Sequence, residues 1–220
     1  MEFSQLLVEG LAAVFGNVAT AAATPAGIAI FAGFCLLGYL LGSISTAILV
    51  CRAIGAPDPR GEGSGNPGAT NVMRVAGKGP ALATLAGDVA KGVLPVLLAR
   101  LAGVDAAGQA WIGFFAFLGH LYPVFFRFEG GKGVATALGV INTLSWPAGF
   151  AVMAAWLVVF LPFRVSSLAS IVSWLLAPLF VWIFAPQILA AMVLMSALLL
   201  WRHRQNVKDL LAGRERSFRK

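Results

Sequence analysis

Charged residues are missing from long stretches of this chain and crowd into a few short ones. Residues 27–51 carry no charge over 25 positions, enough for a first membrane helix. Residues 80–99 predict a second, interrupted by Asp88 and Lys91, and residues 110–126 a third, short and rich in aromatics. Residues 133–163 run for 31 positions, roughly 46 Å as one helix. That exceeds a hydrocarbon core of about 30 Å. Ser145-Trp146-Pro147 supplies a break, because proline inside a helix removes a hydrogen bond and clashes with the preceding turn. Residues 165–201, 37 positions and roughly 55 Å, must also fold back, with Ala185-Pro186 as the turn. The pattern predicts an all-α integral membrane protein with seven transmembrane helices.

Composition agrees. The chain is 59% hydrophobic and only 11% charged, where a soluble domain has about 25% charged residues. An ordinary cytosolic domain, a disordered chain and a disulfide scaffold are excluded. Cys35 and Cys51 are 16 positions apart, roughly 24 Å along a helix and far beyond disulfide reach. With seven spans, the loops after helices 1, 3, 5 and 7 share one face and hold fourteen of the sixteen Lys and Arg residues. The positive-inside rule makes that face cytoplasmic, with the N-terminus outside and the C-terminus in the cytoplasm. The net charge of +7 then reflects topology and anionic lipid rather than nucleic acid. Residues 1–26 contain Glu2 and Glu9 but no Lys or Arg, unlike a secretory signal peptide. Their apolar residues recur at helical spacing, which predicts an interfacial amphipathic helix rather than a further span. The domain plan is an extension over 1–26, a seven-helix membrane domain over 27–206 that carries the chemistry, and a basic cytoplasmic tail over 207–220.

Three polar clusters fall on that one face. The first, residues 58–74, reads D-P-R-G-E-G-S-G-N-P-G-A-T-N-V-M-R. Gly63, Gly65 and Gly68 allow backbone N–H groups to converge on an anion. Ser64, Asn66, Thr70 and Asn71 add side-chain donors, and Arg74 adds a fork that matches phosphate oxygens. The embedded G-x-G-x-x-G is not a dinucleotide fingerprint, since a membrane helix rather than a strand precedes it. The second cluster, residues 119–136, carries Gly130-Gly131-Lys132-Gly133 ahead of Thr136 and opens a helix. This is not a P-loop, because no Ser or Thr follows Lys132. It still combines peptide N–H groups, a helix N-terminus and a cation. His120 reads as a packed structural residue. The third cluster joins Ser167, after Arg164, to His203 and Asn206, which are three apart and share a helix face. Arg202 and Arg204 read as topology and helix-dipole residues. Asp88 and Lys91 read as a self-neutralising pair.

Together these motifs resemble the bacterial PlsY family of acyl-phosphate:glycerol-3-phosphate acyltransferases. The carriers are Gly42-Ser43-Ile44, G-S-G-N-x-G-A-T-N, G-G-K-G-V-A-T and, last, Ser167 with Arg202-His203 and Asn206. The family usually has Pro where this chain has Ser45. The resemblance implies a seven-helix enzyme of the bacterial inner membrane with its site on the cytoplasmic face. It would transfer a fatty acyl group from acyl phosphate to the 1-hydroxyl of glycerol 3-phosphate, giving lysophosphatidic acid and phosphate. No cofactor or metal is implied, since a mixed anhydride is already activated. Expected partners are the two substrates, membrane lipids and the enzyme that produces acyl phosphate. By motif position, Ser64, Arg74, Lys132, Ser167, His203 and Asn206 are the candidate catalytic residues. His203 takes the attacking hydroxyl's proton, or a substrate phosphate takes it and His203 positions the substrate. Gly63, Gly65, Asn66, Gly68, Thr70, Asn71, Gly130, Gly131, Gly133 and Thr136 are the candidate substrate-binding residues. The competing class is a membrane transporter of a phosphorylated metabolite, but no internal repeat supports it.

Overall fold

The structure, a computed structural model, describes residues 24–218. Thr24 opens the first helix, α1 (Pro25–Gly42), by accepting from the Gly27 amide at 3.2 Å. The amphipathic helix expected in residues 1–26 lies outside the described residues, except for Thr24 and the first two residues of α1. A break at Ser43-Ile44-Ser45 leads to α2 (Thr46–Ala53). Ser45 has φ −79, a value that proline could also adopt. The break frees the Ile44 carbonyl, and Lys91 Nζ donates to it at 3.0 Å. Lys91 also pairs with Asp88 at 2.9 Å, both side chains almost fully buried. The pair is therefore more than self-neutralising: it satisfies a backbone group that lipid could not.

α3 (Ala69–Ala76) is a short polar-loop helix, followed by α4 (Lys78–Leu101) and α5 (Ala106–Leu121). α1 and α5 cross backbone to backbone. A Cβ on Gly42 would lie 2.0 Å from the Ala116 carbonyl oxygen, and one on Gly119 would lie 2.2 Å from that of Tyr39. Close small-residue crossings of this kind give van der Waals packing where lipid removes the hydrophobic drive. The chain continues as α6 (Val134–Leu144), α7 (Trp146–Phe163), α8 (Ser166–Phe184), α9 (Leu189–Arg202) and α10 (Arg204–Leu211). The expected breaks are present, with Ser145 capping α7 through the Ala148 amide and Ala185 ending α8. The core, around Phe117, Ile141, Trp174, Met192 and Met195, lies between α5, α6, α8 and α9.

The count of seven transmembrane helices is wrong. Among the described residues, five helical stretches are long and apolar enough to cross a membrane: Pro25–Ala53, Lys78–Leu101, Ala106–Phe126, Trp146–Phe163 and Ser166–Phe184. A sixth is reached only if Pro186–Arg202 and Arg204–Leu211, which meet at 51°, form one span. The helix that fails is α6, whose 11 residues extend only about 16 Å. It is apolar because protein surrounds it: Thr136, Ala137, Gly139, Val140 and Ile141 are all buried. The orientation of the termini derived from seven crossings loses its basis with the count.

Candidate active site

The three polar clusters meet in one cavity of about 600 Å³. Its polar end is bordered by Ser64, Asn66, Thr70 and Arg74 from the first cluster, Lys132 from the second, and Ser167, His203 and Asn206 from the third. All six candidate catalytic residues therefore border the same space. Farther along the helices, six residues past Lys132 and seven past Ser167, the lining is mainly apolar, walled by Leu138, Val152, Met153, Trp156, Leu157 and Trp174 beside Ser170 and Ser173.

The first loop is shaped by Asn71. Its Nδ2 donates to the carbonyls of Pro59 at 2.8 Å and Glu62 at 2.9 Å, and its Oδ1 accepts from the Ser64 amide at 2.8 Å. Asn71 was expected to bind substrate. It touches the cavity, but both ends of its amide serve the loop. Gly63 has φ 61, and a Cβ there would strike Asn71 Oδ1 at 2.3 Å, so this glycine fits the staple as well as the turn. Arg60 ties this loop to the second one. It pairs with Asp58 at 2.8 Å and with Glu129 at 2.9 Å. The Arg60 hydrogen bond holds the Asp58 carboxyl below its ordinary pKa.

The second loop is clamped from behind. The Gly131 amide donates to the His120 carbonyl at 3.1 Å. Arg202 donates through Nε to the Gly131 carbonyl at 3.1 Å and through an Nη to that of Gly130 at 2.7 Å. Arg202, expected to serve topology, is thus a builder of the site. Gly133 enters α6 at φ 85. Thr136 is fully buried and meets His120 Nδ1 at 3.2 Å, while the same ring nitrogen is 3.6 Å from Asp88. Gly65 and Gly130 border a smaller neighbouring hollow. Gly131 and Thr136 border neither space, so they and Gly130 support the loop rather than line the cavity.

In the third cluster, Lys132 Nζ donates to Asn206 Oδ1. Asn206 Nδ2 donates to Glu215 at 2.9 Å, and Ser167 Oγ donates to the same carboxylate oxygen at 2.7 Å. His203 Nδ1 lies 2.8 Å from the Leu199 carbonyl. A carbonyl only accepts, so Nδ1 carries the proton and Nε2 of the neutral ring is left as the acceptor. Burial lowers the Lys132 ammonium to a pKa of about 8; Arg202 and Arg74 push the same way and Glu215 opposes them. Arg74 is also lowered, by burial first and then by Arg216. Glu215 is the residue that motif reasoning missed: it lies in a charge-rich tail with no helical spacing to mark it. Among the described residues, no group of three His, Cys, Asp or Glu side chains is placed to hold a metal ion.

The family model for glycerol-3-phosphate acyltransferase matches residues 32–213. A glycerol-3-phosphate acyltransferase of Pseudomonas putida (strain GB-1) is 53% identical over 184 residues, covering 83% of this chain and 97% of that protein. One of Pseudomonas aeruginosa (strain LESB58) is 54% identical over the same length and coverage. The crystal structure of PlsY (YgiH), an integral membrane glycerol 3-phosphate acyltransferase in its glycerol 3-phosphate form, is similar with a TM-score of 0.81 at 39% identity. That match covers 86% of this chain and 96% of the other. The lysophosphatidic acid form of the same protein matches with a TM-score of 0.79 at 38% identity. The transporter alternative falls with these matches, and the chain belongs to the glycerol-3-phosphate acyltransferase family.

Proposed function

We propose that the cavity transfers a fatty acyl group from acyl phosphate to the 1-hydroxyl of glycerol 3-phosphate in the bacterial inner membrane. One observation carries this: cations and donors border the same single cavity as a mainly apolar wall. Acyl phosphate and lysophosphatidic acid both have that shape, a phosphate head on a hydrocarbon chain. The solved relatives, described with glycerol 3-phosphate and with lysophosphatidic acid, support it.

In this mechanism Arg74 and Lys132 hold phosphate and offset charge that develops on the leaving group. The side chains of Ser64, Asn66 and Thr70 orient the phosphates, because the Ser64, Gly65 and Gly68 amides, expected to converge on an anion, donate within the loop instead. Ser167 and Asn206 position the glycerol phosphate. The hydroxyl oxygen attacks the acyl carbonyl carbon, the anhydride C–O bond breaks, and inorganic phosphate leaves. His203 Nε2 takes the hydroxyl proton, the free acceptor that its Nδ1 contact leaves available. Because the donor is a mixed anhydride, the chemistry needs neither metal nor covalent intermediate.

The basic residues around the cavity, among them Arg74, Lys132, Arg202, Arg214 and Arg216, favour a cytoplasmic site under the positive-inside rule. An enzyme that makes acyl phosphate must then deliver the donor from that side. The test is purified protein with acyl phosphate and glycerol 3-phosphate. Lysophosphatidic acid and inorganic phosphate should form one for one, with chelator present and without acyl-CoA. Turnover with acyl-CoA alone, or loss of activity in chelator, overturns the assignment of donor and mechanism.

A further inference from the structure

The chain beyond α10 turns back along the polar end of the cavity. Gly213, at φ 66, makes the turn, and Arg214, Glu215 and Arg216 then border the cavity. Glu215, Arg216, Ser217 and Phe218 tether this strap, Ser217 by donating its hydroxyl to the Arg164 carbonyl at 3.4 Å. Glu215 accepts from Ser167 and Asn206. The Arg216 carbonyl accepts from Arg74 at 3.4 Å. The Phe218 amide donates to the Arg164 carbonyl at 2.8 Å. The strap ends on an aromatic column. The Arg74 guanidinium lies 4.9 Å from the centre of the Phe218 ring. Phe218 meets Phe160 edge-on at 6.1 Å, and Phe160 stacks on Trp156 at 4.5 Å. The Trp156 indole N–H donates to Ser170 at 3.1 Å. The column therefore runs from a residue at the phosphate end to residues beside the acyl end, all of which border the cavity except the two phenylalanines behind them.

We infer that Phe218 is a specificity residue that keeps bulk water from the bound acyl phosphate, so that the acyl group passes to glycerol phosphate rather than to water. The inference rests on acyl phosphate as the donor. Water and the glycerol hydroxyl compete for one carbonyl carbon by the same chemistry. In the unwanted reaction a water oxygen attacks that carbon, the anhydride C–O bond breaks, fatty acid and inorganic phosphate leave, and the proton passes to solvent. The reacting groups cannot discriminate between the two acceptors by reactivity, so the walls of the site must do so by excluding water. The phenyl ring caps Arg74, a phosphate-holding candidate, and closes the seam between the strap and α7.

The experiment uses the full-length purified protein and counts both products, lysophosphatidic acid and free fatty acid, against phosphate released. In the wild type, phosphate should be matched by lysophosphatidic acid. In Phe218→Ala the fatty-acid share should rise several-fold, and rise further as glycerol 3-phosphate is lowered. Phe218→Leu, which keeps apolar bulk, should lie between. Phe160→Ala, which breaks the column while leaving the strap's hydrogen bonds, should shift the products the same way. An unchanged product ratio in Phe218→Ala and Phe160→Ala overturns the inference. So does loss of both products in parallel, which would make the ring a fold support only. If the wild type forms no lysophosphatidic acid from acyl phosphate, it is the donor assignment that fails.

Discussion

Lys132 and Asn206 are 74 positions apart in the chain, yet the ammonium of one donates to the amide oxygen of the other. The contact fixes which way the Asn206 amide points, since its nitrogen then faces Glu215. Asn206→Asp puts a carboxylate between that carboxylate and the lysine. It should raise the Lys132 pKa, because an added anion favours the charged form. It should also repel a substrate phosphate and raise KM for glycerol 3-phosphate more than it lowers kcat. Steady-state kinetics with varied glycerol 3-phosphate check this, and an unchanged KM would remove Asn206 from the substrate's path.

Lys132 should set the alkaline limit of activity. Its pKa of about 8 means that the cation is present below that pH and lost above it. Activity should fall as pH rises through 8, to about one tenth of the plateau one unit higher. Lys132→Arg keeps its charge throughout, so the variant should be slower but free of this alkaline fall. A fall at the same pH in the arginine variant would assign the limit to another group.

In the proposed mechanism Lys132→Ala and Arg74→Ala each remove a charged partner of phosphate. Charge-assisted contacts are worth about 1.5–3 kcal/mol, so each should cost roughly 10- to 150-fold in kcat/KM. Equal activity in either variant, folded as the wild type, would place that residue outside the phosphate site.

His203→Ala should lower kcat by about 10²–10⁴-fold if Nε2 is the base. His203→Gln keeps a polar side chain but relays no proton. If Gln restores most of the lost rate, the ring positions substrate and a phosphate oxygen accepts the proton. If Gln is as slow as Ala, the base role stands.

The buried Asp88–Lys91 pair gives a stability test. Lys91→Met removes the nearest partner of Asp88, leaving it only His120 Nδ1 at 3.6 Å, and leaves the Ile44 carbonyl without its donor. Breaking one partner of such a pair costs about 3–5 kcal/mol. Adding Asp88→Asn should recover much of that loss, read as thermal unfolding in detergent. A single variant as stable as the wild type would show that water or another group satisfies the site.

Local features were legible in the sequence. The glycine-rich loops and the breaks at Ser145 and Ala185 depend on neighbouring residues, and Ser64, Arg74, Lys132, Ser167, His203 and Asn206 all border the cavity. What depends on distant partners was not legible. Hydropathy cannot tell a helix wrapped in protein from one wrapped in lipid, so α6 was counted as a span. Its length was readable, though, once Ser145 ended it. Arg202 sits in a basic cluster where topology is a sufficient explanation, and only the fold brings the Gly130 and Gly131 carbonyls to it. Glu215 reaches Ser167 across 48 positions, which no spacing rule anticipates.

The Asn71 staple has a thermodynamic consequence. A glycine-rich loop is the most entropically expensive backbone to immobilise. Here one buried amide holds that loop through three hydrogen bonds supplied by the protein itself. In the proposed mechanism a phosphate arriving at the Ser64 and Thr70 hydroxyls would then meet a loop ordered when the chain folded. Association should then carry little conformational entropy from the loop. Asn71 would govern affinity without touching the ligand, by deciding whether the loop's disorder is settled at folding or again at every turnover.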